Sequence, residues 1–343
     1  MADENVPNVL VLGVVPSLTW LVARCLTRAG RRPYVLCWHG YSPMRIGADC
    51  RAYFIWSQLR RTEGKLDRSA LEQVHVLCRK HAIDVVMAAD YDAGLLLAEH
   101  GAGAAFTSAV VPQAMTMRAF NNKWTFSRLL QQLDIPYPDS RYINCRAELQ
   151  AARLGFPIIT KPLDKWASVG FEVHHSRAEL AATLAQGRLR TSYPLIAQCY
   201  VPGWDVGASF LAGDGRLRAF SVFQHKRNGE RFFYRDGRVR NYLETFVAAT
   251  GYRGVGHIDL RYDPRRDEYR LLELNPRFWA SLLYAADAGL NYPQLLLGIE
   301  QGDGGAPRQA VPGPVRLGPY ERSMTLGNRW FSHAYERLTG AVL

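Results

Sequence analysis

The first third of the chain alternates short apolar runs with longer segments of helical spacing. The runs NVLVLGV, PYVLCWH and IDVVMAAD are apolar through their centres, as is typical of strands buried on both faces of a parallel sheet. Between them, apolar residues recur with a helical period over 17–29 and 66–81, and a further helix is expected around 95–100. Gly30 follows the first helix, where glycine commonly ends helices. The pattern predicts alternating strands and helices of an α/β domain.

This strand–helix–strand opening resembles one half of a Rossmann-like domain. Gly13 is its only glycine before the helix, so the GxGxxG fingerprint is missing and we expect no dinucleotide site here. Asp90 and Asp92 follow the third apolar strand, at the edge where open α/β sheets bind ligands. Capping of the next helix is the alternative role for these two carboxylates.

The pattern changes near Ala119. The run NNKWTFSRLLQQLDIPYPDS predicts a helix closed by a Pro-x-Pro segment, and FPIITKP predicts a short apolar strand that ends in Lys161. The loop DKWASVG then leads into a strand, and RAELAATLAQG predicts another helix. Two strands are expected in PLIAQCYVPGWDVGASFLAG, interrupted by Pro202 and Gly203.

A hairpin is predicted where the strand-like runs GHIDLRY and EYRLLELN flank a Pro-Arg-Arg-Asp turn. Side chains two apart on a strand share a face, which pairs His257 with Asp259 and Glu273 with Asn275. If the turn pivots on Arg266, Asp259 lies opposite Glu273. Two carboxylates and an amide oxygen then converge, and hard cations such as Mg²⁺ prefer such oxygen ligands. A surface hairpin with incidental acidic residues is the alternative.

Length and charge narrow the choice of partners. The 343 residues allow two or three domains, and 48% hydrophobic residues fit a globular protein. The net charge of +11 favours nucleic acid, an anionic membrane or small polyanions such as nucleotides. Because the arginines are scattered and no RNA-binding signature, zinc finger or Lys/Arg block is present, a nucleic-acid partner is not expected.

Cysteine usage and hydropathy bear on the compartment. The six cysteines show no CxxC pair and no spacing suited to zinc, so we expect reduced, mostly buried thiols. The acidic start MADEN is unlike a signal peptide, and no apolar stretch reaches the length of a membrane span. These features predict a cytoplasmic protein without a membrane partner.

Five ordered landmarks resemble those of the ATP-grasp superfamily. They are Lys123, Lys161, the 164–170 loop, the 198–205 segment and the 259–277 hairpin, and the likeness covers residues 85–300. Within the superfamily the chain looks most like the carboxylate–amine ligases and the carboligases related to carbamoyl-phosphate synthase. The resemblance implies an α/β fold, α+β in its C-terminal part, with a Rossmann-like N-terminal domain followed by an ATP-grasp fold of a small lid and a larger antiparallel-sheet domain.

The same resemblance divides the chain into four segments. We expect a Rossmann-like domain over 1–118, a lid with its linker helix over 119–197, a catalytic subdomain over 198–305 and a tail over 306–343. The segment beyond Gly302 is rich in glycine and proline and predicts a linker. The tail carries Trp330, Phe331 and Tyr335, which favour an amphipathic helix packed on the body.

Nucleotide contacts are implied by this resemblance. Lys123 and Lys161 would hold the α- and β-phosphates. A loop with less glycine than is usual in the family would cover the β- and γ-phosphates through Lys165, Ser168 and Gly170. The Gln198 amide would accept from the adenine 6-amino group, backbone groups of Cys199 and Val201 would contact the base, and the Asp205 carboxylate would bind the ribose. A hydrogen bond from Asp205 to the local backbone is the alternative for that residue.

The implied reaction is ATP-dependent ligation, in which a carboxylate is activated as an acyl phosphate and transferred to an amine. Mg²⁺ or Mn²⁺ would be held by Asp259, Glu273 and Asn275, and Arg277 would stabilise the transferring phosphoryl group. Water would be excluded by the lid carrying Trp166.

The basic, aromatic-rich run FQHKRNGERFFYRDGRVR would lie beside the acceptor in such an enzyme. Its cations His225, Lys226, Arg227, Arg231 and Arg235 are candidates for binding substrate carboxylates, and a solvated charged hairpin is the alternative. The catalytic candidates are Arg277, His257, Lys226 and Arg235.

The sequence names neither the substrates nor the assembly. The expected partners are small-molecule carboxylates and amines, and the sequence allows both a monomer and a homodimer. An acceptor other than an amine (a thiol, a hydroxyl or bicarbonate) and a nucleotide-binding protein without catalysis are the other functions that the sequence allows.

Overall fold

The fold was taken from a computed structural model, which describes residues 7–38, 42–45, 47–57, 61–62, 65–102, 104, 106–165, 169–299 and 306–327. The chain forms two compact units. The first contains the residues up to Met117, Ser209–His257 and those from Asn275 onward, and the second contains Arg118–Ala208 and Ile258–Leu274. The four-segment division expected from the sequence stays a prediction.

The N-terminal part of the first unit is a parallel α/β sheet. Its elements are β1 (Val9–Gly13), α1 (Pro16–Arg28), β2 (Tyr34–Cys37), β3 (Ala52–Ile55), β4 (Arg61–Thr62), β5 (Lys65–Leu66), α2 (Leu71–His81), β6 (Val85–Ala88), α3 (Tyr91–His100), β7 (Thr107–Ser108) and α4 (Ala114–Asn121). Five strands pair in the parallel order β3-β2-β1-β6-β7. Every residue of β1 is buried. The expected parallel α/β domain is confirmed.

Two helix boundaries differ from the expectation. Helix α2 begins at Leu71 and not near residue 66, because Lys65–Leu66 pairs with β4 and the Asp67 side chain then caps a short 3₁₀ turn. Helix α3 begins at Tyr91, earlier than expected. The Asp90 side chain accepts a hydrogen bond from the Ala93 backbone N–H at 3.1 Å, so the capping role is the one that the structure gives this carboxylate.

The second unit contains a four-stranded antiparallel sheet. Its elements are α5 (Lys123–Gln132), β8 (Ser140–Ile143), α6 (Arg146–Ala151), β9 (Ile158–Pro162), β10 (Glu172–His174), α7 (Arg177–Ala185) and β11 (Leu195–Cys199), with strand order β10-β9-β11-β8. Apolar residues of β9 and β11 pack with Leu180 and Leu184 of α7. The single helix expected from Asn121 onward is in fact the end of α4 followed by α5, because the Asn122 side chain caps a new helix start.

The rest of the described chain builds the largest sheet and further helices, including helical residues over 319–327. The elements are β12 (Trp204–Gly213), β13 (Arg216–His225), β14 (Arg231–Tyr234), α8 (Gly237–Thr250), β15 (Gly254–Asp263), β16 (Glu268–Asn275), α9 (Leu282–Asp287), α10 (Tyr292–Leu297), β17 (Arg308–Gln309) and β18 (Gly313–Val315). The strand order is β16-β15-β12-β13-β14-β18, with β17 beside β13. Strands β15 and β16 are neighbours joined by a turn at 264–267, which confirms the predicted hairpin.

The glycine- and proline-rich segment beyond Gly302 is more than the linker that its composition predicts. Strand β17 pairs in parallel with β13, and β18 pairs antiparallel with β14. This backbone pairing is decided by neighbours far away in the chain, which local composition does not report. The tail aromatics Trp330, Phe331 and Tyr335 lie outside the described residues.

Helix α1 packs within the first unit against the C-terminal helices. The Asn291 side chain donates to the Cys25 carbonyl at 2.7 Å, and Arg28 pairs with Asp287 at 2.7 Å. All six cysteines are described; none forms a disulfide, and Cys25, Cys37, Cys50 and Cys78 are buried. Among the described residues, no helix has both the length and the apolar character that crossing a bilayer requires.

Candidate functional site

Two buried lysines mark the candidate site in the second unit. Lys123 is the first residue of α5, where Asn122 caps the helix by accepting from the backbone of Trp124 and Thr125. Lys161 lies in β9, after two isoleucines and the buried Thr160. The two residues are only 5% and 8% exposed. Lysine is rarely buried without a partner, so both positions require a nearby negative charge.

Glu273 provides that charge. Its Oε2 atom lies 3.5 Å from Nζ of Lys123 and 3.7 Å from Nζ of Lys161. Lys123 also donates to the backbone carbonyl of Lys165 at 2.6 Å. The carboxylate of Asp259 acts electrostatically on Lys161 as well. The structure therefore brings together two cations and two anions that the sequence separates by many residues.

The pKa of Lys161 is lowered from its ordinary value. Burial is the main cause, because an ammonium group loses hydration there; Glu273 and Asp259 oppose the shift, and the positive charge of Lys123 adds to it. The two carboxylates therefore only partly compensate for desolvation. A bound polyanion would favour the charged form of this lysine further.

The donor chemistry of the hairpin fits a divalent cation. Asp259 and Glu273 are both partly exposed and present carboxylate oxygens, and Glu273 already sits beside two positive groups. No group of three His, Cys, Asp or Glu residues with metal-binding spacing is found in the described part of the chain. The predicted set contains two carboxylates and one amide, that of Asn275, and so is not a group of that kind.

Asn275 and Arg277 belong to the first unit. Asn275 ends β16, two residues after Glu273, and its Oδ1 atom accepts from Nη2 of Arg277 at 2.9 Å. Nη1 of Arg277 donates to the carbonyl of Phe278 at 2.7 Å. Both contacts fix the plane of the guanidinium, which suits the geometry of a phosphoryl group.

His257 is packed among aromatic rings in the first unit. It stacks on Phe223 and Trp279, with ring centroids 6.0 and 5.5 Å away. Its Nδ1 atom lies 2.9 Å from the hydroxyl of Ser209. The residue is buried, and its catalytic role stays a prediction.

The basic run 223–240 forms the β13–β14 hairpin and the start of α8. Lys226 and Arg227 lie at its exposed turn, and Arg235 is exposed before α8. Lys226 lies over the ring of Phe232, at 5.6 Å from the centroid. Arg231 stacks on Tyr284, and burial lowers the pKa of its guanidinium. These placements fit a charged hairpin at the surface, and the role in binding substrate carboxylates stays a prediction.

The 198–205 segment links β11 to β12. Gln198 is buried, and its Nε2 donates to Oγ of Ser140 at 2.9 Å, which fixes the orientation of this amide. The backbone N–H of Cys199 donates to the Asp139 carbonyl at 2.9 Å and is thus used within the protein. Val201 is buried and, with Cys199, lines an open cavity of about 530 Å³.

Asp205, the predicted ribose ligand, is held by an arginine that the sequence did not single out. Nη1 of Arg261 donates to Oδ1 of Asp205 at 2.6 Å. Arg261 lies two residues after Asp259 on β15 and so shares its face of the strand. This two-residue spacing from Asp259 is the local feature of the sequence that could have pointed to Arg261. The Asp205 carboxylate thus pairs with Arg261 and not with the local backbone, which was the alternative role for this residue.

The 164–170 loop is described only at its ends. Lys165 is exposed, and Gly170 has a φ of +70° with a place for Cβ only 2.9 Å from Cγ of Pro162. Glycine is therefore required at that position. Trp166 and Ser168, which the sequence assigns to water exclusion and phosphate binding, lie outside the described residues.

The side chain of Asp90, at the carboxyl edge of the parallel sheet, is hydrogen-bonded to the backbone. Its Oδ2 accepts from the N–H groups of Val14 and Val15 at 2.6 and 2.8 Å. Burial, with a smaller effect of Asp92, raises its pKa to about 6 in spite of these bonds. The carboxylate orders the loop after β1.

Sequence relatives are found among ATP-dependent ligases. No model of a known protein family matches the sequence. The large chain of the arginine-specific carbamoyl phosphate synthase of Geobacillus stearothermophilus is 24% identical over 168 residues, which are 44% of this chain and 16% of that protein. The D-alanine–D-alanine ligase of Gluconobacter oxydans is 27% identical over 195 residues, 49% of this chain and 62% of that protein. The chain spans less than two thirds of either relative.

Solved structures agree on the fold. The L-amino acid ligase of Bacillus licheniformis matches with a TM-score of 0.63 and 16% identity, over 84% of this chain and 73% of that one. A carboxyaminoimidazole ribonucleotide synthase from Aspergillus clavatus, solved with ATP, matches with a TM-score of 0.66 and 16% identity, over 90% and 80%. The chain thus has the ATP-grasp fold and is related to the ATP-grasp ligases.

Proposed function

We propose that this protein is an ATP-dependent ligase that activates a substrate carboxylate as an acyl phosphate and joins it to an amine, releasing ADP and phosphate. The observation that carries the proposal is the position of Glu273 between the buried ammonium groups of Lys123 and Lys161. Burying ammonium groups costs hydration that a nearby carboxylate only partly returns, and such charge clusters are frequent at functional sites. The relatedness to carbamoyl phosphate synthase and D-alanine–D-alanine ligase supports this choice of chemistry.

The nucleotide is ATP in this proposal. Lys123 and Lys161 bind its α- and β-phosphates, because compact ammonium groups attract a polyanion strongly where water is scarce. Lys165, Ser168 and Gly170 contribute the loop over the β- and γ-phosphates. The carbonyl oxygen of Gln198 accepts from the adenine amino group, Cys199 and Val201 contact the base, and Asp205 binds the ribose.

Asp259, Glu273 and Asn275 hold Mg²⁺ or Mn²⁺ in this proposal. Bound there, the metal would neutralise phosphate charge and so let a second anion approach. Glu273 has a further task that follows from its contacts: it pairs with both lysines and holds their ammonium groups at one place. Arg277, whose guanidinium donates to Asn275 and to the Phe278 carbonyl, would stabilise the charge that develops on the transferring phosphoryl group.

The reaction has two steps. An oxygen of the substrate carboxylate bonds to the γ-phosphorus while the bond to the β–γ bridging oxygen breaks, and ADP leaves. The nitrogen of the amine then bonds to the acyl carbon, the bond from that carbon to the phosphate oxygen breaks, and the amine gives up a proton. His257, Lys226 and Arg235 remain candidates for binding the carboxylate or for accepting that proton.

Coupled assays of ADP release test the proposal. Purified protein with ATP and Mg²⁺ is offered carboxylic acids paired with amines, including amino acids, and the products are identified by mass spectrometry. Parallel arms replace the amine by a thiol, an alcohol or bicarbonate. ADP release that requires an acid and an amine, and that stops in excess chelator, is the expected result. Release with bicarbonate alone, release that persists in chelator, or ATP binding without any turnover would each contradict it.

A further inference from the structure

Arg261 ties the 198–205 segment to strand β15. Nη1 donates to Oδ1 of Asp205 at 2.6 Å, and Nη2 donates to the carbonyl of Gly203 at 2.6 Å and to the hydroxyl of Tyr200 at 3.4 Å. The guanidinium also lies over the Tyr200 ring, 5.2 Å from its centroid. One side chain therefore contacts three residues of the segment.

The segment is also held by close backbone packing. Gly203 has a φ of +100°, and a Cβ atom at this position would lie 1.9 Å from the carbonyl oxygen of Tyr262 on β15. The Trp204 and Tyr262 rings pack with their centroids 4.9 Å apart. These contacts fix the backbone without Arg261. The arginine therefore determines the orientation of the Asp205 side chain.

The two partners differ in exposure. The Asp205 side chain is 64% exposed and that of Arg261 is 17% exposed. Such a pair contributes little to folding stability, because water screens the exposed carboxylate. Oδ2 of Asp205 accepts no hydrogen bond from the described residues, so one oxygen of a carboxylate that Arg261 holds through the other is open to solvent. An oriented acceptor of this kind favours a hydroxyl donor.

We propose that Arg261 is a positioning residue that sets ribose recognition in the nucleotide site: it fixes Oδ1 of Asp205 so that Oδ2 accepts from a ribose hydroxyl. This inference rests on the proposed binding of ATP. Arginine is required because its planar fork reaches the carboxylate and the Gly203 carbonyl at the same time. Lysine, with a single ammonium group, can hold only part of that arrangement.

Binding of ATP, 2′-deoxy-ATP and 3′-deoxy-ATP by titration calorimetry tests the proposal. The variants are Arg261→Met, Arg261→Lys, Asp205→Asn and the Arg261→Met/Asp205→Asn double variant. Arg218→Met is the matched control, because Arg218 is 18% exposed and pairs with the 70% exposed Asp214 in the first unit. Circular dichroism and unfolding curves check that each variant is folded.

The expected result is a loss of discrimination and not of binding as such. The wild type should bind ATP roughly tenfold more tightly than at least one deoxy analogue, since a hydroxyl bond to a charged acceptor is then lost. Arg261→Met and Asp205→Asn should each bring that ratio close to one, the double variant should add nothing, and Arg261→Lys should lie between. Arg218→Met should keep the wild-type ratio.

Three outcomes overturn the inference. A wild-type ratio retained in Arg261→Met removes the positioning role. This holds whether the affinities are unchanged or all three nucleotides bind equally more weakly, the second case indicating structural damage alone. A wild type that binds ATP without discriminating between the sugars also rejects it, while leaving the proposed function standing. A wild type that binds none of the nucleotides rejects both.

Discussion

The Nζ atom of Lys161 lies 3.7 Å from the Oε2 atom of Glu273, and the same oxygen lies 3.5 Å from Nζ of Lys123. One carboxylate thus lies within ion-pair distance of two buried ammonium groups and offsets part of the cost of burying them. Each of the three charges depends on the other two, since an unpaired charge in this environment would be strongly disfavoured. Substitution of Glu273 or of either lysine should therefore have a specific effect.

Replacing Glu273 by glutamine keeps the shape and removes the charge. We expect Glu273→Gln to lower substrate-dependent ADP release by about a hundredfold or more, because the metal and both lysines lose their shared anion. The free energy of unfolding should fall by about 3 kcal/mol, because two buried ammonium groups lose the carboxylate that they share. Glu268→Gln is the matched control, since Glu268 lies on the same strand and pairs with Arg270 at 2.8 Å. Unaltered ATP consumption in Glu273→Gln would remove the metal role from this residue.

Lys161 should make ATP binding depend on pH on the alkaline side. Its pKa is lowered by burial in the free protein, and a triphosphate beside it would raise that pKa. Binding then requires the protonated lysine, so the dissociation constant for ATP should rise as pH increases through the pKa of the free protein. Lys161→Met should bind ATP about tenfold more weakly near neutral pH and should lose this alkaline rise.

Titration calorimetry across the neutral and alkaline range separates these effects. The exposed Lys80 of α2 offers a control, and Lys80→Met should behave as the wild type does. If Lys161→Met retains the wild-type affinity and the same pH profile, Lys161 does not contact the nucleotide.

Asp90 should make stability depend on pH on the acidic side. Its native pKa is raised to about 6, above that of the unfolded chain, so the native state binds more protons between these two values. The contribution of Asp90 to the unfolding free energy is therefore larger below its native pKa and falls as pH rises through it. Relative to Asp90→Asn, the wild type should gain about 1 kcal/mol between pH 7 and pH 5.

Chemical unfolding of both proteins at these pH values measures the difference. The comparison with asparagine cancels the other titrating groups, which are the same in both chains. A difference in unfolding free energy that stays constant with pH would show that Asp90 has an ordinary pKa.

Gly203 should tolerate no side chain. A Cβ atom would meet the Tyr262 carbonyl oxygen at 1.9 Å, and the φ of +100° is unfavourable for any residue but glycine. We expect Gly203→Ala to destabilise the protein by about 3 kcal/mol or more. Gly215→Ala is the control: its φ is +68° but no atom lies within 4 Å of the Cβ position, so a cost of about 1 kcal/mol is expected. Equal costs for both variants, measured by denaturant unfolding, would contradict the steric argument.

Much of the element order could be predicted from local patterns. The buried strands β1, β2 and β6 were visible as continuous apolar runs, and the β15–β16 hairpin was visible as alternation around a turn. The start of α2 was wrong, because residues 65–66 join a small hairpin instead of the helix. Strands β17 and β18 escaped prediction for a different reason: their pairing partners lie far away in the sequence.

The sequence by itself determined which kinds of element form and which chemical groups are available, because periodicity, caps and turns act over a few residues. It identified Lys123, Lys161, Asp259 and Glu273 as candidates by order and type. Only the tertiary structure decided that both lysines meet one oxygen of Glu273 and that Asp205 is held by an arginine 56 residues away. Burial and charge pairing depend on distances in space between residues remote in the chain, and a linear pattern carries no measure of those distances.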